Sequence, residues 1–104
     1  MAATLTIDPY IIDTLMPDLV GHDRRTSSFL VYLCLWRRAA PDLAVPVRMS
    51  HQALADATGL SRSAVQAALS NLWRRSLVVS KRGSPTAVPR HTVLRPSVRR
   101  GRTA

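Results

Sequence analysis

The sequence contains no glutamate, one lysine and one cysteine, and its first 23 residues hold neither lysine nor arginine. Each shortage excludes something. The single Cys34 rules out a disulfide framework within the chain. It fits a reducing compartment, and in an apolar stretch it reads as a small core residue rather than a nucleophile. The six acids, all aspartate, fall mostly near expected helix caps or on polar faces. The three histidines, His22, His51 and His91, are scattered. No Cys-x-x-Cys or His-x-x-x-His spacing suggests zinc, and no G-x-x-x-x-G-K-[ST] loop suggests a nucleotide. No catalytic residue, metal or cofactor is therefore expected, and the chain reads as a binding protein rather than an enzyme. Two Trp, two Tyr and one Phe are too few for a base-stacking platform of the single-strand type, so Trp36 and Trp73 read as packing anchors. The longest apolar run, Phe29 to Trp36, has eight residues, far short of the ~20 that span a bilayer. The acidic N-terminus lacks a signal-peptide layout. A cytoplasmic protein without a membrane partner is expected.

What is abundant is arginine. Fifteen bases against six acids give a net charge of +9, and fourteen of the fifteen are Arg. The distribution is polarised. Residues 1–23 carry Asp8, Asp13, Asp18 and Asp23 and sum to −4; residues 24–73 sum to +4; residues 74–104 carry nine bases and no acid. A basic C-terminal half of this kind faces a polyanion. At 104 residues and 46% apolar content the chain can bury one core.

Hydrophobic periodicity divides the chain. Asp8 caps a first helix with Pro9 at its first position. Ile11, Ile12, Leu15, Met16, Leu19 and Val20 then share one face. Pro17 should kink this helix and Gly21 should end it. A second helix runs from about Arg24 to Ala39, with Asp23, Thr26 or Ser27 as its cap. Its FLVYLCLW run is apolar on every side, so it should be the buried spine. After Pro41 comes a short extended piece, Val45 to Arg48. Ser50 caps a third helix, His51 to about Thr58, and Ser61 caps a fourth, Arg62 to about Arg75. The period then becomes extended. Leu77 to Val79 reads as a strand, residues 81–86 as a turn and Val88 to Leu94 as the returning strand, with Pro89 on an edge or bulge. Residues 96–104 read as a basic disordered tail.

The informative stretch is residues 51–72. Two short helices that cross steeply need a small side chain at the crossing, and Ala55 supplies it. Their tight turn needs a residue tolerant of positive φ, and Gly59 is one. Val65 follows Ala55 by ten residues and Gly59 by six, the spacing of a helix-turn-helix. Leu54, Leu60, Val65, Ala68 and Leu69 can then pack inward. Ser61 leaves the free N–H groups of the next helix aimed at phosphate. Arg62, Ser63, Gln66, Ala67 and Ser70 should point outward on a slim helix suited to a major groove. Gln66 is the favoured base reader, by its amide on adenine. Arg62 can bond guanine or anchor a phosphate.

The segment LADATGLSRSAVQAALSNLWRRSLV resembles the reading heads of GntR- and MarR-type bacterial regulators and of some plasmid and phage replication initiators. The resemblance covers about residues 24–95. It implies a mainly α fold with a small β-hairpin: a winged helix-turn-helix with a three-helix core, a wing and an extra N-terminal helix. The large effector domain of GntR-type chains has no counterpart here, so a stand-alone head without a small-molecule effector site is expected. The resemblance further implies that the wing residues flanking the turn, Lys81, Arg82, Arg90 and His91, lie against the minor groove or flanking phosphates. Arg95, Arg99, Arg100 and Arg102 would add nonspecific phosphate contacts. Arg74 and Arg75 could do the same or favour the helix C-terminus.

The expected organisation is an N-terminal helix over 1–23, a DNA-binding domain over 24–95 and a tail over 96–104. The expected partner is double-stranded DNA, in a nucleoid-associated transcription regulator. A replication or partition accessory of a mobile element would share the same residues, and a winged domain used for protein or RNA contacts is the rival class. The apolar stripe of the first helix either builds a homodimer, which would read a palindromic site, or completes the monomer's core.

Overall fold

Two serines start the two helices on which the fold turns. Ser50 Oγ accepts from Ala53 N at 3.0 Å, and Ser61 Oγ accepts from Ala64 N at 3.1 Å. Each thereby satisfies one of the orphan N–H groups of a first turn. The computed structural model describes residues 3–95. Its order is a helical N-terminal segment, α1 (Thr26–Ala39), β1 (Val47–Arg48), α2 (His51–Thr58), α3 (Arg62–Arg74), β2 (Val78–Lys81) and β3 (Arg90–Val93). The predicted hairpin is extended to a three-stranded antiparallel sheet of order β1-β3-β2. The mainly helical winged helix-turn-helix architecture is thus present. The expected tail, with Arg99, Arg100 and Arg102, lies outside the described residues. No helix among the described residues is long and apolar enough to cross a membrane.

The N-terminal segment differs from the expected kinked helix. Asp8 does cap it, accepting from Tyr10 N at 3.0 Å, but two wide π turns follow, Ile11–Leu15 and Asp18–His22. Pro17 lies between them. Its ring would strike the carbonyl four residues back in a regular α-helix, and one extra residue in the preceding turn relieves that conflict. Gly21 sits inside the second turn and does not end it. The left-handed residue falls instead at Arg24, with φ 54°, so α1 starts at Thr26, two residues later than expected. No side chain caps it.

The apolar stripe of this segment splits into two rows. Ile11, Leu15 and Leu19 are buried in the common core, while Ile12, Met16 and Val20 remain 42%, 38% and 37% exposed. Burial of the first row is worth ~1.5–3 kcal/mol per side chain and ties the segment to α1. A polar junction adds orientation. Arg75, just after α3, pairs with Asp18 and brings Nε within 3.3 Å of Asp23 Oδ2, though too poorly aligned there for a hydrogen bond. Asn71, buried in α3, donates to Ser28 of α1 at 3.0 Å and to Asp23 at 3.3 Å. Partly exposed ion pairs contribute only ~0–1 kcal/mol, so the buried row dominates and the pairs fix the docking angle.

α1 is the spine, although not apolar contact all round. Phe29, Val31, Tyr32, Leu35, Trp36 and Ala39 are buried, Leu33 and Cys34 are partly buried, and Leu30 is exposed. Trp36 donates from Nε1 to Thr6 O at 2.9 Å and Tyr32 from its hydroxyl to Leu94 O at 2.7 Å. These two bonds tie the segments before the N-terminal turns and after β3 to one helix. α2 and α3 close the core through Leu54, Ala55, Val65, Ala68, Leu69 and Leu72.

His91 joins the sheet to α2. Its register partner across the sheet is Val47, and its ring is fully buried, so it does not join the outward residues of the wing as expected. Nε2 lies 2.9 Å from Met49 O and Nδ1 2.7 Å from Ser80 Oγ. A carbonyl can only accept, so Nε2 carries the proton and Nδ1 accepts from Ser80. Burial holds this imidazole below the usual histidine value, against the raising effect of the Met49 carbonyl bond.

Two outcomes follow from this packing. Gly59 has φ 77°, and nothing lies within 4 Å of a Cβ built there. Gly59→Ala therefore costs only the left-handed backbone strain, about 1–2 kcal/mol. That is a fall of roughly 4–8 °C in Tm per kcal/mol, readable by thermal unfolding. Second, the neutral His91 makes stability fall with acid. Below its unfolded value of 6.5 the unfolded chain binds a proton that the native chain refuses, so stability declines by up to about 1.4 kcal/mol per pH unit. Above that pH the effect vanishes. In His91→Asn the decline in denaturation midpoint between about pH 6.5 and pH 5 should be shallower; an unchanged slope would contradict the assignment.

Candidate nucleic-acid interface

α2 and α3 are joined by three residues, Gly59 to Ser61. Gly59 takes the left-handed conformation, its N–H returning to Ala55 O at 2.9 Å. Thr58 caps the same end from its hydroxyl to Leu54 O at 2.6 Å. Ala55 is 5% exposed and belongs to the core, as the close approach of two helices requires. Val65 is fully buried. Ala55 and Val65 thus face inward, and Gly59 carries the left-handed turn between them.

With the inner face committed to the core, α3 leaves the opposite face open. Arg62, Ser63, Gln66 and Ser70 are exposed, and Ala67 is half-buried. Ser61 Oγ also lies 3.2 Å from Ser63 Oγ, so the capping serine and its neighbour fix each other's orientation. None of these side chains crosses to another element through a hydrogen bond or ion pair among the described residues. A slim polar strip about two turns long is therefore presented to solvent.

The wing stands beside this strip. Partial burial first, and then the positive charges of Arg82 and Arg62, hold His51 below the usual histidine value. The imidazole that begins α2 thus feels both the wing and the start of α3. Residues far apart in sequence, 51, 62 and 82, share one electrostatic neighbourhood. Arg82 Nη1 donates to Pro85 O at 3.0 Å, which braces the turn. Lys81 ends β2 and Arg90 begins β3, opposite each other. Pro89 directly precedes the central strand rather than lying on an edge, and its carbonyl accepts from Met49 N at 3.3 Å.

Other placements differ from expectation. Arg95 does not extend the basic surface freely. It pairs with Asp8 at 3.4 Å and lies with its guanidinium carbon 6.0 Å from the Trp36 ring centroid. Arg75 is held by Asp18 and Asp23. Trp73 is not a packing anchor: it is 64% exposed, while Trp36 is buried. Seven residues on from Gln66, two helical turns, Trp73 continues the polar strip toward the C-terminal end of α3. Helical phase alone could have revealed this. His51 was also missed as a member of the basic cluster, because nothing in the sequence places it against Arg82.

A family model for the Crp-like helix-turn-helix domain matches residues 24–95. Neither the GntR nor the MarR type is what this match names. No curated protein and no solved structure matches the chain. The helix pair with its left-handed Gly59, the three-stranded wing sheet and a match running from Arg24 to Arg95 agree: the chain belongs to the Crp-like helix-turn-helix family, and its partner is DNA.

Proposed function

We propose that this protein binds double-stranded DNA in a sequence-specific manner and acts as a transcription regulator. The observation that carries the reading is the uncovered strip of Arg62, Ser63, Gln66 and Ser70 on α3, flanked by a basic wing. In this reading α3 enters the major groove. Gln66 reads adenine through its paired donor and acceptor, and Arg62 takes guanine or a phosphate. Ser61 and Ser63, at the helix start, sit against phosphate, and Ala67 and Ser70 keep the helix slim. Lys81, Arg82 and Arg90 hold the flanking backbone, and Arg99 and Arg100 add contacts that do not depend on sequence. Trp73 meets the sugar–phosphate rim where α3 leaves the groove.

The assembly in this reading is a homodimer. One winged domain covers a short site, and specificity comes from two copies on a pseudo-palindrome. The row Ile12, Met16 and Val20, apolar and exposed at successive turns, is the surface proposed for the second copy. Residues 1–23 then serve as the dimer contact and 24–95 as the reading head.

Selection of bound duplexes from a random pool supplies the target. On it, Gln66→Ala should lose about 1–3 kcal/mol of affinity and relax the preference at one base pair. Arg62→Ala should weaken binding as well. If both variants bind the selected duplex as tightly as the parent, the base-reading strip is wrongly placed. Sedimentation should give twice the 11.5 kDa chain mass for the parent and the single mass for Met16→Glu. A parent that is monomeric at the concentration where it occupies its site overturns the dimer.

A further inference from the structure

The sheet register lines up three cations. Arg48 of β1 stands opposite Arg90 of β3, and Arg90 stands opposite Lys81 of β2. Directly paired residues share a face, so all three project from the same side, away from the core. Their neighbours in sequence, Val47, His91 and Ser80, alternate to the other side, where Val47 and His91 are buried. All three cations are exposed, and none has an ion-pair partner among the described residues. The three acids that neutralise bases, Asp8, Asp18 and Asp23, are committed to Arg95 and Arg75.

Like charges directly opposite one another destabilise a sheet, and here two such pairs share Arg90. A row with no internal counter-charge is stable only weakly by itself and is relieved by an external anion. Its size decides which anion. Strands lie ~4.8 Å apart, so the three roots span roughly 10 Å. Side chains standing in parallel at that spacing match a run of charges better than a single phosphate or carboxylate, and one DNA strand presents a charge every ~3.4 Å of helix axis. The row also borders the interface: Arg48 lies two residues before Ser50, the cap of α2, and Lys81 and Arg90 are the strand ends nearest the wing turn. Beside it runs an open groove lined by Pro46, Val79, Gly83 and Thr92 with Lys81, Arg82 and Arg90 at its rim. Small and apolar groups on this floor let a sugar–phosphate chain lie flat.

We propose that Arg48, Arg90 and Lys81 form a phosphodiester track across the outer face of the sheet, which carries the DNA backbone past the wing and lengthens the bound site beyond the groove read by α3. The proposal rests on the DNA-binding reading above. Arg48 is its new member, since neither the helix-turn-helix spacing nor the hairpin read from the sequence includes β1.

The experiment uses the full chain and a long duplex containing its selected site, with affinity measured against salt. Arg48→Gln should flatten the plot of log affinity against log salt by about 0.9, equally for specific and unrelated duplexes, while Gln66→Ala leaves that slope unchanged. Arg48→Lys should restore the slope. The free Arg48→Gln protein should melt no lower than the parent, because a like-charge contact is removed. A duplex shortened on the wing side should abolish the difference between parent and Arg48→Gln. A variant that melts lower and binds more weakly with an unchanged slope gives Arg48 a structural role and overturns the track. A parent that binds no duplex overturns the DNA reading itself, and the track with it. A parent that binds with a salt slope shared by Arg48→Gln overturns the track alone.

Discussion

The close approach of α2 to α3 is the constraint on which the molecule depends. Three residues separate the helices, and both helix ends are fixed chemically: Thr58 and Gly59 close the first, Ser61 opens the second. With so short a link neither helix can rotate freely. Once Leu54 and Ala55 are committed inward, Val65, Ala68, Leu69 and Leu72 must follow, because they share one face of α3. The outward strip is then whatever remains, and it is polar. A larger side chain at 55 would push α2 away, and the strip would lose its fixed position relative to the wing.

Folding also sorts the charge. In the chain the acids come first and the bases last, and the fold brings part of the two ends together: Asp8 meets Arg95, and Asp18 and Asp23 meet Arg75. Those bases are neutralised far from the wing. Arg48, Arg62, Lys81, Arg82 and Arg90 are left without such partners among the described residues, as are Arg24, Arg25, Arg37, Arg38 and Arg74 on the helical elements. Half of the bases without an acid partner therefore stand at the start of α3 and on the sheet with its turn. His51 lies among them: burial first, and then the charges of Arg82 and Arg62, hold its imidazole below the usual histidine value. The N-terminal segment thus has two effects on the interface although it lies outside it. It covers α1 with Ile11, Leu15 and Leu19, and it removes two arginines from the pool available to DNA.

His91 holds the wing sheet to the helical body by the same economy of groups. One neutral ring satisfies the Met49 carbonyl just before α2 and the Ser80 hydroxyl on the neighbouring strand. The wing is thereby positioned relative to the start of α2 by a buried polar contact rather than by apolar area alone. Directional bonds of this kind fix geometry more sharply than nondirectional burial does.

The sequence by itself determined the helix pair, its caps, the left-handed glycine and the polar strip of α3. These features are local. Spacings of ten residues or fewer and single-residue conformational preferences suffice to specify them, and they were legible for that reason. It also determined that a basic hairpin follows α3. Tertiary structure decided what depends on residues distant along the chain. Val47 and Arg48 looked like a loose extended piece until β3 gave them a partner, and a two-residue strand has no periodicity of its own to read. The division of the first apolar stripe into a buried and an exposed row depended on where α1 lies, and the widened turns around Pro17 on how that segment had to bend to reach it. Which arginines remain free, and that three cations stand in one row, is set by strand register and by ion pairs between opposite ends of the chain, and neither leaves a mark on local sequence.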